Sequence, residues 1–365
     1  MGTGVRRRIF ETARRGGALT LGLVVACAVV PLTGGEAWAQ GAPAGADLLE
    51  RYRATPGPFS IETHEAVWVD RARTDPRPIP IKAYTPELTD EGQSAPIVIV
   101  SQHLGHTKDG MSYLATHLAS WGYAVVVLEH PSTSKSSMAL RDQGQLPRAL
   151  ATDNRIANVR DIAYAITEAS RPGRLATRVD PDRVAVVGHG FGSYSALQTA
   201  GMRAETSSGP SHRLGDGRVG AVVAMSPDGT IFFGVESDSF DHMQVPILYM
   251  SGTQDRGRWT HDPTRRREPF ALSQGQDLFF WSLHNGMSHF FTDDEMGEIN
   301  MPRPPGAHED ILGAVTAFLD AYLLADPVAH EWLTQEGPVT TSDLGVTLEQ
   351  KNVRTIEAIE ADQDR

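Results

Sequence analysis

Arg183-Val184-Ala185-Val186-Val187-Gly188-His189-Gly190-Phe191-Gly192-Ser193-Tyr194-Ser195-Ala196-Leu197 is the stretch on which the fold assignment turns. A short apolar run leads into three glycines spaced by two, and apolar residues at helical spacing follow at once. The order is buried strand, tight turn, helix. Gly188 and Gly192 flank Gly190 in a turn so sharp that side chains there would clash.

The pattern repeats outward from this segment. Nearly continuous apolar runs occur at 97–100, 123–128, 219–225, 247–250 and 278–281. Stretches 113–121, 154–170 and 191–202 carry apolar residues at helical spacing, and 311–324 is a strongly amphipathic helix. Runs apolar on both faces suit buried parallel strands, and their alternation with helices predicts a mostly parallel, doubly wound α/β sheet flanked by helices. Upstream, 66–69 and 79–81 alternate and predict one or two antiparallel leading strands. Segments 203–218 and 255–276 are polar and predict loops, the second long enough to be a lid. Arg265-Arg266-Arg267 within it reads as a solvated face, with an anionic ligand near the cleft as the alternative. Trp121, Trp259 and Trp281 read as packing or cleft-lining aromatics. Residues 327–365 predict a helix end at 329–333 and then a tail.

The bulk numbers narrow the classes. The 365 residues are 40% hydrophobic and 21% charged, which suits a globular protein with a sizeable core. A net charge of −12 argues against nucleic acid as the main partner. Residues 1–39 resemble a targeting segment: five arginines (Arg6, Arg7, Arg8, Arg14, Arg15), an apolar run at 18–32, and Ala37-Trp38-Ala39 as a small-x-small cleavage site. The expected localisation is export, periplasmic or secreted, with no transmembrane span in the mature chain. Anchoring through a lipoprotein box at Cys27 is the alternative, but the apolar run continues past it. Loss of 1–39, which carry a net +3, takes the charge from −12 to −15 and removes the only cysteine. The expected organisation is signal peptide 1–39, linker 40–58, a main domain 59–326 and the 327–365 tail.

The glycine turn resembles the G-x-S-x-G nucleophile elbow in its strand–turn–helix setting, with Gly190 at the serine position. On this segment, on Ser101-Gln102-His103-Leu104-Gly105-His106, on the helix and strand from Ser112 to Tyr123, and on Glu129-His130-Pro131, the chain resembles the α/β-hydrolase family. The likeness is to the branch with dienelactone hydrolase-like proteins, platelet-activating-factor acetylhydrolases and bacterial polyester hydrolases, over roughly 60–325. It implies an α/β-hydrolase fold, carboxylic-ester chemistry, no cofactor, and a small ester or lipid-like ligand. It implies an acid at Asp255, a base at His289, and an oxyanion hole built from the loop His103-Leu104 and from Phe191. Asp228 is an alternative acid. His189 and His130 match family positions and read as structural, as does Ser101. His103 and His106 depart from the pattern.

Glycine offers no atom to attack with, so no acyl-enzyme forms at Gly190. Three readings stay open. The chain is an impaired or inactive relative of ester hydrolases that keeps Asp255 and His289. Or it is an active hydrolase using water in the serine's place, or a metal on His103, His106 and His289, perhaps with Asp255. Or it is a binding protein whose surface does the work. For His103 and His106 the simpler reading is a pair of loop histidines.

Overall fold

The apolar runs become strands wherever both of their faces find cover. The computed structural model describes residues 52, 55–134, 152–206, 209–231, 234–257, 260–293, 301–335 and 337–363. Among these the strands are β1 (Ile61–Asp70), β2 (Arg77–Pro86), β3 (Ala95–Ser101), β4 (Ala124–Leu128), β5 (Val179–His189), β6 (Arg203–Thr206), β7 (Gly209–Arg213), β8 (Val219–Met225), β9 (Ile247–Gly252), β10 (Leu278–Leu283) and β11 (Val346–Lys351). Nine of them form one sheet in the order β1-β2-β4-β3-β5-β8-β9-β10-β11. From β4 to β10 neighbours run parallel, while β1, β2 and β11 pair antiparallel at the edges.

The helices are α1 (Ser112–Ser120), α2 (Thr152–Ala169), α3 (Phe191–Thr199), α4 (Glu268–Leu272), α5 (Ala307–Leu323), α6 (Pro327–Thr334), α7 (Gly337–Thr340) and α8 (Ile356–Gln363). Side chains alternate across the pleat. In β3, Val98 and Val100 join the layer under α1 and α5, whereas Ile97 and Ile99 join the layer under α2 and α3. Each such side chain, fully buried, contributes about 1.5–3 kcal/mol, and the polar residues buried in the parallel strands, among them Ser101, His189 and Ser251, sit at or near strand C-terminal ends. No helix among the described residues is long and apolar enough to cross a membrane.

The chain leaves β3 for β4 on one side and returns to β5 on the other. That reversal is a switch point, where the ends of neighbouring strands leave a crevice open to ligands. The loop after β3 and the turn after β5 both lie at it.

Three expectations are corrected. Segment 203–218 is not only loop: β6 and β7 pair as a hairpin. Segment 255–276 folds into a 3₁₀ turn, Pro263–Arg267, followed by α4. Residues beyond 327 are not a tail. Asp326 caps α6 by accepting from Val328 N and Ala329 N at 2.8 and 3.1 Å, Leu333 is buried in the core, and β11 covers the open edge of β10. Part of the expected linker is also docked. Tyr52 is buried with its ring 4.8 Å from that of Trp332, and Gly57 N donates to Ser120 Oγ at 2.8 Å. Residues 1–39, Cys27 among them, and Trp259 lie outside the described residues.

Candidate active site at the glycine elbow

The turn after β5 is as tight as its glycines suggested. A Cβ on Gly188 would overlap the Gly192 carbonyl, and one on Gly192 would overlap the Ser101 carbonyl. Both obstacles are backbone and cannot yield. Gly190 has φ 52° and ψ −111°, a conformation that costs a residue with a Cβ about 1–3 kcal/mol. Its N–H donates to the Met225 carbonyl at 2.8 Å, and its carbonyl accepts from Ser193 Oγ at 2.6 Å.

At Gly190 the obstacle is a side chain. A Cβ there would overlap Nδ1 of His103. That same nitrogen accepts from the Phe191 N–H at 3.0 Å. His103 therefore occupies the position a serine side chain would fill and engages the donor expected to bind an oxyanion. Leu104 turns away and packs in the layer under α2 and α3.

His103 belongs to a group of three imidazoles. Its ring centre lies 5.3 Å from that of His106, nearly perpendicular, and 5.2 Å from that of His189. Loss of solvent, then the charges of His106 and Arg266, push His103 down to about 3. Burial likewise holds His189 well below the usual histidine range, with its Nε2 3.1 Å from Ser288 Oγ. His103 is thus neutral at pH 7 and far too weak a base for general-base work there.

The expected acid and base do not meet. His289 sits in the 3₁₀ turn Ser288–Phe291, and its Nε2–H donates to the Met301 carbonyl at 2.9 Å. Its Nδ1 is buried with no hydrogen-bond partner among the described residues. Asp255 accepts from Ser251 Oγ at 2.9 Å and faces Arg266 Nε at 3.2 Å. Asp228, the alternative acid, is held by Arg266 Nη1 and Thr260 Oγ1. The Arg266 guanidinium, 3% exposed, thus neutralises both candidate acids and also donates to the Ser226 carbonyl at 2.9 Å. The central arginine of the 265–267 run is not a solvated face.

Among the described residues no three His, Cys, Asp or Glu side chains are grouped so as to hold a metal ion, so His103, His106 and His289 do not form the candidate set. One constellation escaped the sequence reading. Ser101 Oγ lies 2.9 Å from His130 Nε2, and His130 Nδ1 lies 3.0 Å from Asp161 Oδ2. The signal was an acid on the buried stripe of α2, one residue before Ile162.

Taken together, these features define an α/β protein whose sheet switch point carries a glycine turn closed over by an imidazole. No protein-family model matches the sequence, and no curated protein matches it either.

Proposed function

We propose that this chain is an exported α/β-hydrolase-fold protein of the carboxylic-ester hydrolase kind. In this reading it has given up the serine reaction and binds a small ester or lipid-like molecule at the elbow. The observation that carries the reading is Gly190 at φ 52° and ψ −111° with the His103 imidazole in the serine's place. Further support comes from the strand–turn–helix at the sheet's C-terminal edge beside the loop after β3, the arrangement in which that fold builds its oxyanion hole. The leader-like segment 1–39 supports export.

A water-based mechanism is the weaker reading, because an imidazole and not solvent adjoins the Phe191 N–H. The test is hydrolysis of a short-chain nitrophenyl ester, paired with thermal-shift titrations of short esters and carboxylates. The expected result is no turnover by the protein as it stands, with a ligand-dependent rise in Tm that follows RT ln(1 + [L]/Kd). Gly190→Ser alone stays inactive, because the introduced side chain would collide with His103 and His289 Nε2 is engaged by the Met301 carbonyl. Turnover by the unaltered protein that is lost in His289→Ala would overturn this reading.

A further inference from the structure

The buried Ser101, His130 and Asp161 have the atoms and spacing of a catalytic triad, yet they are turned away from the cleft. Asp161 Oδ1 accepts from Arg73 Nη2 and Arg77 Nε, each at 2.7 Å, and Arg77 Nη2 reaches Oδ2 at 2.9 Å. Burial opposes the carboxylate's charge, but the His130 and Arg77 bonds outweigh it and hold its pKa below the usual range. An ionised Asp161 fixes the polarity of the chain. It accepts from His130 Nδ1–H, which leaves the Nε2 lone pair to accept from the Ser101 hydroxyl. Ser101 is fully buried on the α2–α3 side of the sheet, so its oxygen is not an attacking group.

Its place in the fold gives it another task. Ser101 ends β3 and begins the loop that carries His103. The far end of that loop is tied by Gly105 N–H donating to the Thr133 carbonyl at 2.8 Å. Thr133 N–H in turn donates to the His130 carbonyl at 3.0 Å. His130 therefore holds both ends of the loop, one through its ring and the other through its backbone. Gly105, at φ 81° with open space where a Cβ would stand, lets the loop turn between these two anchors.

We propose that Ser101, His130 and Asp161 form a positioning relay that clamps the loop 102–106 and thereby keeps His103 seated against Phe191 N–H above Gly190. The relay governs access to the elbow. It rests on the seat of His103 and not on which ligand binds there, so it can fail while the ligand reading stands, and the reverse.

The test is carbethoxylation by diethyl pyrocarbonate, resolved by residue through peptide mass spectrometry, with exposed His284 as internal reference. In the unaltered protein the His103 Nδ1 lone pair is engaged and reacts slowly. Ser101→Ala and His130→Asn are each expected to raise the His103 rate about tenfold over that of His284, matching a tenfold larger open fraction. A lowered Tm with an unchanged His103 rate in either folded variant marks the relay as packing only and overturns the proposal. Should His130→Asn fail to fold, Ser101→Ala, which removes one hydroxyl, decides alone.

Discussion

Two regions of this molecule can be set against a Ser-His-Asp pattern, and they differ in what is present and what is assembled. At the elbow, Gly190, Asp255 and His289 stand in the right chain order, but Asp255 is held by Arg266 and His289 Nε2 is engaged by the Met301 carbonyl. Behind the loop, Ser101, His130 and Asp161 are joined at 2.9 and 3.0 Å, yet none of them reaches solvent. Chain order and bonding geometry are thus separate requirements, and exposure is a third. A reactive site needs all of them at one place.

The comparison is most directly broken by removing the charges that hold each region. Asp161→Ala would strand Arg77 and His130, and Arg266→Ala would strand Asp255 and Asp228. Each is expected to cost about 3–5 kcal/mol, the penalty of leaving buried charge unpaired. Urea denaturation checks both. If Arg266→Ala were nearly neutral while Asp255 began to act on His289, the elbow acids would be poised for catalysis and not fixed in the frame.

The histidines sharpen the contrast. His130 has a carboxylate partner, whereas His189 meets the uncharged Ser288 and lies among His103, His106 and Arg266. Burial holds the folded His189 well below its unfolded value near 6.5, so the unfolded chain binds the extra proton. Its contribution to stability is complete above pH 6.5 and is lost as the pH drops below it. The loss sets in as the pH falls through 6.5, while Asp161, whose lowered pKa acts only near and below 3.8, stays out of the window. His189→Asn should flatten the measured slope by about one proton. An unchanged slope would mean the imidazole is solvated in the native state.

Gly190→Ser tests the elbow backbone itself. A Cβ at φ 52° is expected to lower stability by about 1–3 kcal/mol. Part of the loss belongs to His103 and should be recovered in the His103→Gly background. A double-mutant cycle with no coupling would show that His103 is not seated against residue 190.

Much of this was legible in the chain. Strands buried on both faces announce themselves as apolar runs, and the flanking elbow glycines, Gly188 and Gly192, are fixed by backbone contact, so both survived the passage from pattern to structure. Strand β11 did not announce itself, since an edge strand with one solvated face, Val346-Thr347-Leu348-Glu349-Gln350-Lys351, offers only two apolar residues. The direction of a ring was also beyond reach. Nothing in Ser288-His289-Phe290 tells which nitrogen meets which carbonyl, and the Met301 carbonyl comes from twelve residues further on.

The three arginines 265–267 show the same limit at its smallest scale. As letters they are equivalent, but they lie in a 3₁₀ turn of three residues per turn, so only one of three successive side chains points inward. That one is Arg266. Arg267, one residue on, pairs with Glu349 of β11 at side-chain exposures of 46% and 44%. Solvent screens such a pair, and Arg267→Ala is expected to cost no more than about 1 kcal/mol. The loss should fade further in high salt, because exposed charges are screened where buried ones are not. Measured beside Arg266→Ala in the same urea titration, it separates neighbours that sequence alone treats as one patch. Equal costs for the two would mean that the turn is not 3₁₀ in solution, and Arg266 would no longer be the residue that holds Asp255 and Asp228.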